Sequence, residues 1–230
     1  NLIIADGHHR YETALNYRAE QREKHPDAPA NAGFNYRMVA MVSMSNPGLT
    51  ILPTHRLIFD YETMSGPEVI AKAKQYFAVE KVADRAALEA KMEEAKGNVG
   101  CIGVVTHEGV YFLNLEDKAI MEELAPDRVE AWRELDVSIL HNLMLEHVME
   151  IDPQKIDDKE NIEYLREPDM GYDRVKEEET AFLFIVNPTR IEQVKACTKV
   201  GEKMPQKSTD FYPKVITGFA MLPIGADERL

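Results

Sequence analysis

Apolar runs and segments of helical spacing follow one another along the chain. Leu2-Ile3-Ile4-Ala5 reads as an apolar strand, and Arg10 to about Lys24 as a helix in which Tyr11, Ala14, Leu15 and Tyr17 or Arg18 recur at helical spacing. Two prolines make Pro26 to Gly33 a loop. Tyr36 to Met44, rich in Met and Val, predicts a buried strand ended by Asn46-Pro47-Gly48, and Leu49 to Leu52 a short second one. Ser65 and Glu68 form a capping-box pattern ahead of a helix to about Phe77, and a further helix is expected from Asp84 to Lys96.

Val99 to Thr106 and Val110 to Leu115 alternate around His107-Glu108-Gly109, a hairpin signal. Asp136 stands where it would cap a strongly apolar helix, Val137 to Glu150. That helix carries more apolar surface than one face needs, which suits either a buried position or a homodimer contact. Next come a short strand at Ile162 to Leu165 and a helix around Asp169 to Glu178. The apolar strand Ala181 to Val186 leads to a helix from Thr189 to Val200, an irregular loop over Glu202 to Lys214, and a last strand, Val215 to Ile224. Alternating strands and helices with a hairpin predict an α/β (α+β) fold, a mixed sheet with flanking helices.

Composition narrows the setting. Of 230 residues 44% are hydrophobic and 29% charged, as in ordinary globular proteins. No apolar run approaches the roughly 20 residues that span a bilayer, and no secretory pattern opens the chain. A membrane role is not expected. Cys101 and Cys197 lack a CxxC partner and read as free thiols in a reducing, cytoplasmic setting. The chain opens without Met and within an apolar run, so it reads as the C-terminal part of a longer protein, with a catalytic base expected upstream.

The net charge of −13 is localised. Residues 115–179 hold 21 acidic against 8 basic residues, and the remainder balances at 19 of each. With no basic stripe, nucleic acid is not an expected partner. A single basic pocket for a small anion remains compatible with this charge.

Such a pocket is indicated at Asp6-Gly7-His8-His9-Arg10, between the first strand and the first helix. A helix N-terminus carries about +0.5 of an elementary charge and unpaired N–H groups. Cations in that first turn are unfavourable unless an anion joins them. Gly7 lets the backbone approach the anion, His8 and His9 flank it, and Arg10 can clamp it with two hydrogen bonds. Asp6 could cap the helix, orient a histidine or hold a metal accompanying phosphate. An Asp-capped helix whose basic residues meet other acids is the plainer alternative. Lys207, Ser208, Thr209 and Lys214, with Lys203 and Tyr212, offer ammonium and hydroxyl groups on a Pro-braced loop and are further candidate phosphate ligands. His55-Arg56 is a candidate substrate-side anion contact, with an ordinary ion pair as its alternative. No GxSxG, Walker loop or complete GxGxxG occurs, and HExxH and HxxEH are absent.

Asp-Gly-His-His-Arg followed by Ala14 resembles the signature turn of the ParB/sulfiredoxin superfamily, which includes chromosome-partitioning CTP-binding proteins, sulfiredoxin and free-serine kinases. The late block from Gly201 through Met204-Pro205-Gln206-Lys207-Ser208-Thr209-Asp210-Phe211-Tyr212-Pro213-Lys214 to Gly218 is similar to the end of a bacterial and archaeal family known as a conserved domain of unknown function, DUF1015. Asp136 to His141 and Leu52 to Arg56 also look like blocks of that family, so the resemblance spans the chain. It implies a C-terminal part of a ParB/sulfiredoxin-like nucleotide-binding region over residues 1–60 and a family-specific α+β region over 61–230. It further implies a nucleotide or other small phosphorylated ligand, ATP, ADP or CTP with Mg²⁺. His8, His9 and Arg10 would hold phosphates, with Asp6 and His9 nearest the chemistry. Three functions stay open: phosphotransfer to a small hydroxyl compound, nucleotide sensing without chemistry, and a nucleic-acid-associated ParB-like role.

Overall fold

Residues 2–216, 218 and 220–229 are described by the structure, a computed structural model. They fall into two compact units, Asn1–Thr50 with Phe211–Leu230, and Ile51–Asp210. The last twenty residues thus group with the first fifty.

The first unit holds one long helix, α1 (His8–Lys24), and a 3₁₀ turn, Gly33–Asn35. Arg22 joins them by donating from Nε and Nη2 to Asn35 Oδ1 at 3.1 and 2.9 Å. No residue of α1 is buried. Residues 2–5 and 36–44 are not in strands, against expectation, and Leu2, Ile4, Val39, Met41 and Val42 are all exposed. Apolar composition marks a segment for burial, but a strand also needs a ladder partner, and neither segment has one among the described residues. The expected strand 215–224 includes Thr217 and Phe219, outside the described residues; its other residues are not in strand.

The chain crosses between units within two short strands, β1 (Thr50–Leu52) and one at Asp210–Tyr212. Between them run β2 (His55–Ile58), α2 (Gly66–Ala73), β3 (Phe77–Val82), α3 (Arg85–Glu94), β4 (Cys101–Thr106), β5 (Gly109–Leu115), α4 (Ile120–Leu124), α5 (Glu130–Arg133) and α6 (Asp136–Ser138). A π-helix follows at Ile139–Val148, then α7 (Pro153–Asp158), β6 (Ile162–Leu165), α8 (Asp169–Glu177), β7 (Phe182–Val186) and α9 (Ile191–Lys199). Asp210–Tyr212 is β8.

Six strands form one sheet in the order β3-β5-β4-β7-β2-β6. Every pairing in it is antiparallel. Helices flank it, so the α+β reading holds. β7 explains why both faces need cover. Its five side chains are buried and alternate between two cores. Phe182, Phe184 and Val186 join Ile139, Leu143 and Met144 of the π-helix, whereas Leu183 and Ile185 join Leu88 and Met92 of α3 and Tyr172 and Val175 of α8. An uninterrupted apolar strand is what burial on two faces demands.

Local signals place most ends. Ser65 and Glu68 close the capping box of α2, and Asp84 caps α3 by accepting from Ala87 N at 2.9 Å. Asp136 does otherwise. Leu135 is the N-cap of α6, and the Asp136 carboxylate accepts from Gly100 N at 2.7 Å. Burial pushes that carboxyl up to about 6, against the Gly100 hydrogen bond and the Arg190 charge, which act the other way. The helix expected from Val137 takes π geometry for ten residues, and Ile139, Leu140, Leu143, Met144, Leu145 and Val148 are wholly buried. Its surplus apolar surface is satisfied inside the second unit. β3 was not foreseen in the pattern, because Phe77-Ala78-Val79-Glu80-Lys81-Val82 has the short mixed character of a helix end.

Candidate phosphate-binding site

Gly7 is the N-cap of α1, with φ 82 and ψ 30. This left-handed conformation is cheap only for a residue without Cβ. It also clears space, since a Cβ there would stand 2.9 Å from Nε and Nη2 of Arg10. The guanidinium therefore folds back over the turn. No side chain caps the helix and no acid stands in its first turn. The first helical bond runs from Tyr11 N to Gly7 O at 3.0 Å, leaving N–H groups of His8, His9 and Arg10 without an acceptor among the described residues.

The charges around this end are mutually arranged. Asp6 does not cap the helix; its Oδ2 lies 3.7 Å from Arg10 Nη2 and accepts from Lys214 Nζ at 3.3 Å. The His8 and His9 rings pack with centroids 4.0 Å apart, and His9 Nδ1 lies 3.4 Å from Glu12. Thr13 Oγ1 donates to His9 O at 2.8 Å. Beside the turn, a cavity of about 440 Å³ is lined by His9, Arg10, Thr13, Ala14, Tyr17, Arg37 and Ile224. Two guanidiniums and an imidazole line it, and among the described residues no carboxylate does. Arg37 is the member the sequence reading missed. Its signal was present as a lone cation within the apolar run Tyr36 to Met44.

The other candidates divide between the two units. Lys214 belongs to the first unit and reaches Asp6, whereas Lys207, Ser208, Thr209, His55 and Arg56 belong to the second. Ser208 is buried, donating from Oγ to Pro205 O at 2.6 Å, while its carbonyl accepts from Thr189 Oγ1 at 2.7 Å. Lys207 is exposed with φ 54, and Thr209 is half-buried.

Arg56 is wholly buried in β2, opposite Phe184 of β7 and Tyr164 of β6. Its partners are the Thr54 carbonyl, the Lys207 carbonyl at 3.1 Å, the Gln206 carbonyl at 3.4 Å and His141 Nε2 at 3.2 Å. No carboxylate is among them, so the ordinary ion pair is not what forms. Burial lowers the Arg56 guanidinium to about 10. Burial and then the Arg56 charge hold His55 at about 4 and His141 at about 3, so both rings are neutral. His55 Nδ1 accepts from Val186 N at 3.3 Å.

No group of three or more His, Cys, Asp or Glu gathers among the described residues. Asp6, the one carboxylate of the turn, already meets two cations. No helix among the described residues is long and apolar enough to cross a membrane.

Residues 1–138 match the family described as "Protein of unknown function (DUF1015)". No curated protein matches the chain. Among solved structures, a conserved hypothetical protein from Pyrococcus furiosus is similar at 16% identity and TM-score 0.42, over 75% of this chain and 60% of that one. A mutant free serine kinase in complex with AMP is similar at 16% identity and TM-score 0.40, over 75% of this chain and 57% of that one. The chain therefore spans under two thirds of each.

Proposed function

We propose, for a chain that belongs to the family described as "Protein of unknown function (DUF1015)", that the N-terminus of α1 holds the phosphate of a nucleotide or other small phosphorylated compound. One observation carries this reading. A 17-residue helix begins at a left-handed glycine with no cap and no acid in its first turn, beside a cavity lined by Arg10, Arg37 and His9. An uncapped helix end with inward cations is unfavourable alone and favourable around an anion. Arg10 and Arg37 supply forked donors, and the N–H groups of His8, His9 and Arg10 supply the rest. Thr13 and Tyr17 carry the cavity beyond the phosphate, toward the remainder of the ligand.

Phosphoryl transfer depends chiefly on positioning and charge neutralisation, so this cation set suits the transfer of a nucleotide phosphate to a small hydroxyl compound. His9 would then stand at the transferred group. Asp6, held between Arg10 and Lys214, serves to orient those cations.

The test is a thermal-shift and calorimetric panel of ATP, ADP, CTP and inorganic phosphate, with and without Mg²⁺, on wild type, Arg10→Ala and Arg37→Ala. Stabilisation by at least one phosphate compound is expected, weakened about tenfold or more in either variant, as befits loss of a charged hydrogen bond. No stabilisation of wild type, or equal stabilisation of all three proteins, overturns the site. Nucleotide consumption that requires a hydroxyl acceptor would mark a kinase; binding without turnover would mark a sensing module.

A further inference from the structure

The second unit contains its own cavity, of about 360 Å³, in the size range of small-molecule sites. Its frame is the π-helix Ile139–Val148, a geometry that recurs at functional sites and here runs for ten residues. His141, Asn142 and Glu146 all line the cavity from this helix, joined by Asp157 of α7 and Tyr164 of β6.

The polar groups there are incompletely matched inside the protein. Arg56 Nε donates to His141 Nε2, so the hydrogen of that neutral ring sits on Nδ1. His141 is 9% exposed, and Nδ1–H has no acceptor among the described residues. Asn142 Nδ2 donates to Glu146 Oε2 at 2.8 Å, and Asn142 Oδ1 is buried with no partner among the described residues. Burial raises the Glu146 carboxyl, the Asn142 bond lowers it, and the neighbouring Asp157 raises it further. The Asp157 charge thus disfavours ionisation of Glu146.

The lining also carries Asp127, against one guanidinium, Arg128. Arg128 is already engaged, with Nη1 donating to Glu202 at 2.9 Å and its guanidinium stacked over Trp132 at 5.0 Å. The cavity therefore favours a cation. A bare metal ion is not indicated, because the acids do not gather as a ligand set among the described residues. An organic ammonium needs only hydrogen-bond acceptors on one side and an apolar wall on the other, and Trp132, Leu124 and Ile156 provide the wall.

We propose that this cavity binds a small primary amine that also bears an oxygen acceptor. The ammonium sits against Glu146 and Asp157, and the oxygen accepts from His141 Nδ1–H. This site belongs to the second unit and the phosphate turn to the first, so either reading can fail without the other.

The experiment is calorimetry on the 230-residue protein with ethanolamine, 3-aminopropanol and β-alanine. Ethylene glycol serves as the uncharged control and glycolate as the control of opposite charge. At least one amine should bind saturably and both controls should not. Glu146→Gln should weaken that binding by about ten- to hundredfold, the loss expected of a charged hydrogen bond. Asp157→Asn, at an exposed position where folding is not at stake, should weaken it in the same direction. Arg10→Ala should leave it unchanged. Failure of all three amines, binding of glycolate in their place, or amine affinity indifferent to both acidic variants overturns the proposal.

Discussion

Arg56 donates from Nε to the Nε2 of His141 at 3.2 Å inside the protein, a cation held by a neutral imidazole rather than by an acid. The arrangement is stable because carbonyls of Thr54, Gln206 and Lys207 take the remaining donors and the Tyr164 ring lies 5.3 Å from the guanidinium carbon. It also pins the Pro205–Ser208 segment to the central sheet.

Arg56→Met keeps much of the volume and removes every one of those donors. His141 and three carbonyls lose a partner, and a loss of about 2–4 kcal/mol is expected. Urea titration should show the midpoint fall with little change in slope. An unchanged midpoint would mean that the guanidinium is dispensable to the fold.

The two neutral histidines make stability depend on acidity. Both native values lie below the ordinary 6.5, so the unfolded chain takes up protons first as pH falls. Their contribution is complete above 6.5 and drains away as pH falls, by about 3 kcal/mol down to about 4 for His55 and about 5 kcal/mol down to about 3 for His141. Asp136 acts in the opposite sense. Its native value, about 6, lies above the ordinary 3.8, so its burial penalty is full above 6 and relieved as pH falls toward 3.8. Asp136→Asn should therefore stabilise at mildly alkaline pH by about 1–3 kcal/mol and steepen the acid-side decline. Denaturant midpoints at several pH values, wild type beside variant, measure both effects; parallel profiles would contradict the assignment.

Gly7→Ala should cost about 1–2 kcal/mol through its left-handed backbone alone. The new methyl would also displace the Arg10 guanidinium, 2.9 Å away. Loss of phosphate affinity should thus accompany any fall in melting temperature. A variant that melts early and still binds phosphate normally would separate the turn from the site.

Cys101 and Cys197 are free, buried thiols. Burial, and then the Asp136 charge, push Cys101 up to about 11, and burial also raises Cys197. A disulfide reagent should label neither in the native protein and both after unfolding. Fast labelling of either before unfolding would show that its surroundings open locally.

What could be read from the chain beforehand divides along physical lines. Elements defined by local rules were legible, among them the capped helix at Ser65, the hairpin around His107 and the doubly buried Phe182–Val186. Elements that depend on distant partners were not. Asp136 has the composition of a cap but bonds to Gly100, 36 positions away. The runs at residues 2–5 and 36–44 have the composition of strands without a ladder among the described residues. The Asp6–Arg10 turn was visible because glycine, histidine and arginine act over one helical turn. Arg37 was hidden because its approach to that turn is tertiary.

β7 joins two otherwise separate sets of strands. The meander β3-β5-β4 lies on one side of it and the β2-β6 pair on the other, with Val104 and Leu57 registered opposite Phe184 and Leu183. Both registers link residues far apart in the chain, so closure of the sheet waits on the last strand of the six to leave the ribosome. Folding should then be slow for the helical content, as long-range topology dictates. The amides of Phe182–Val186 should be the slowest in the protein to exchange with solvent deuterium, opening only when the whole second unit does.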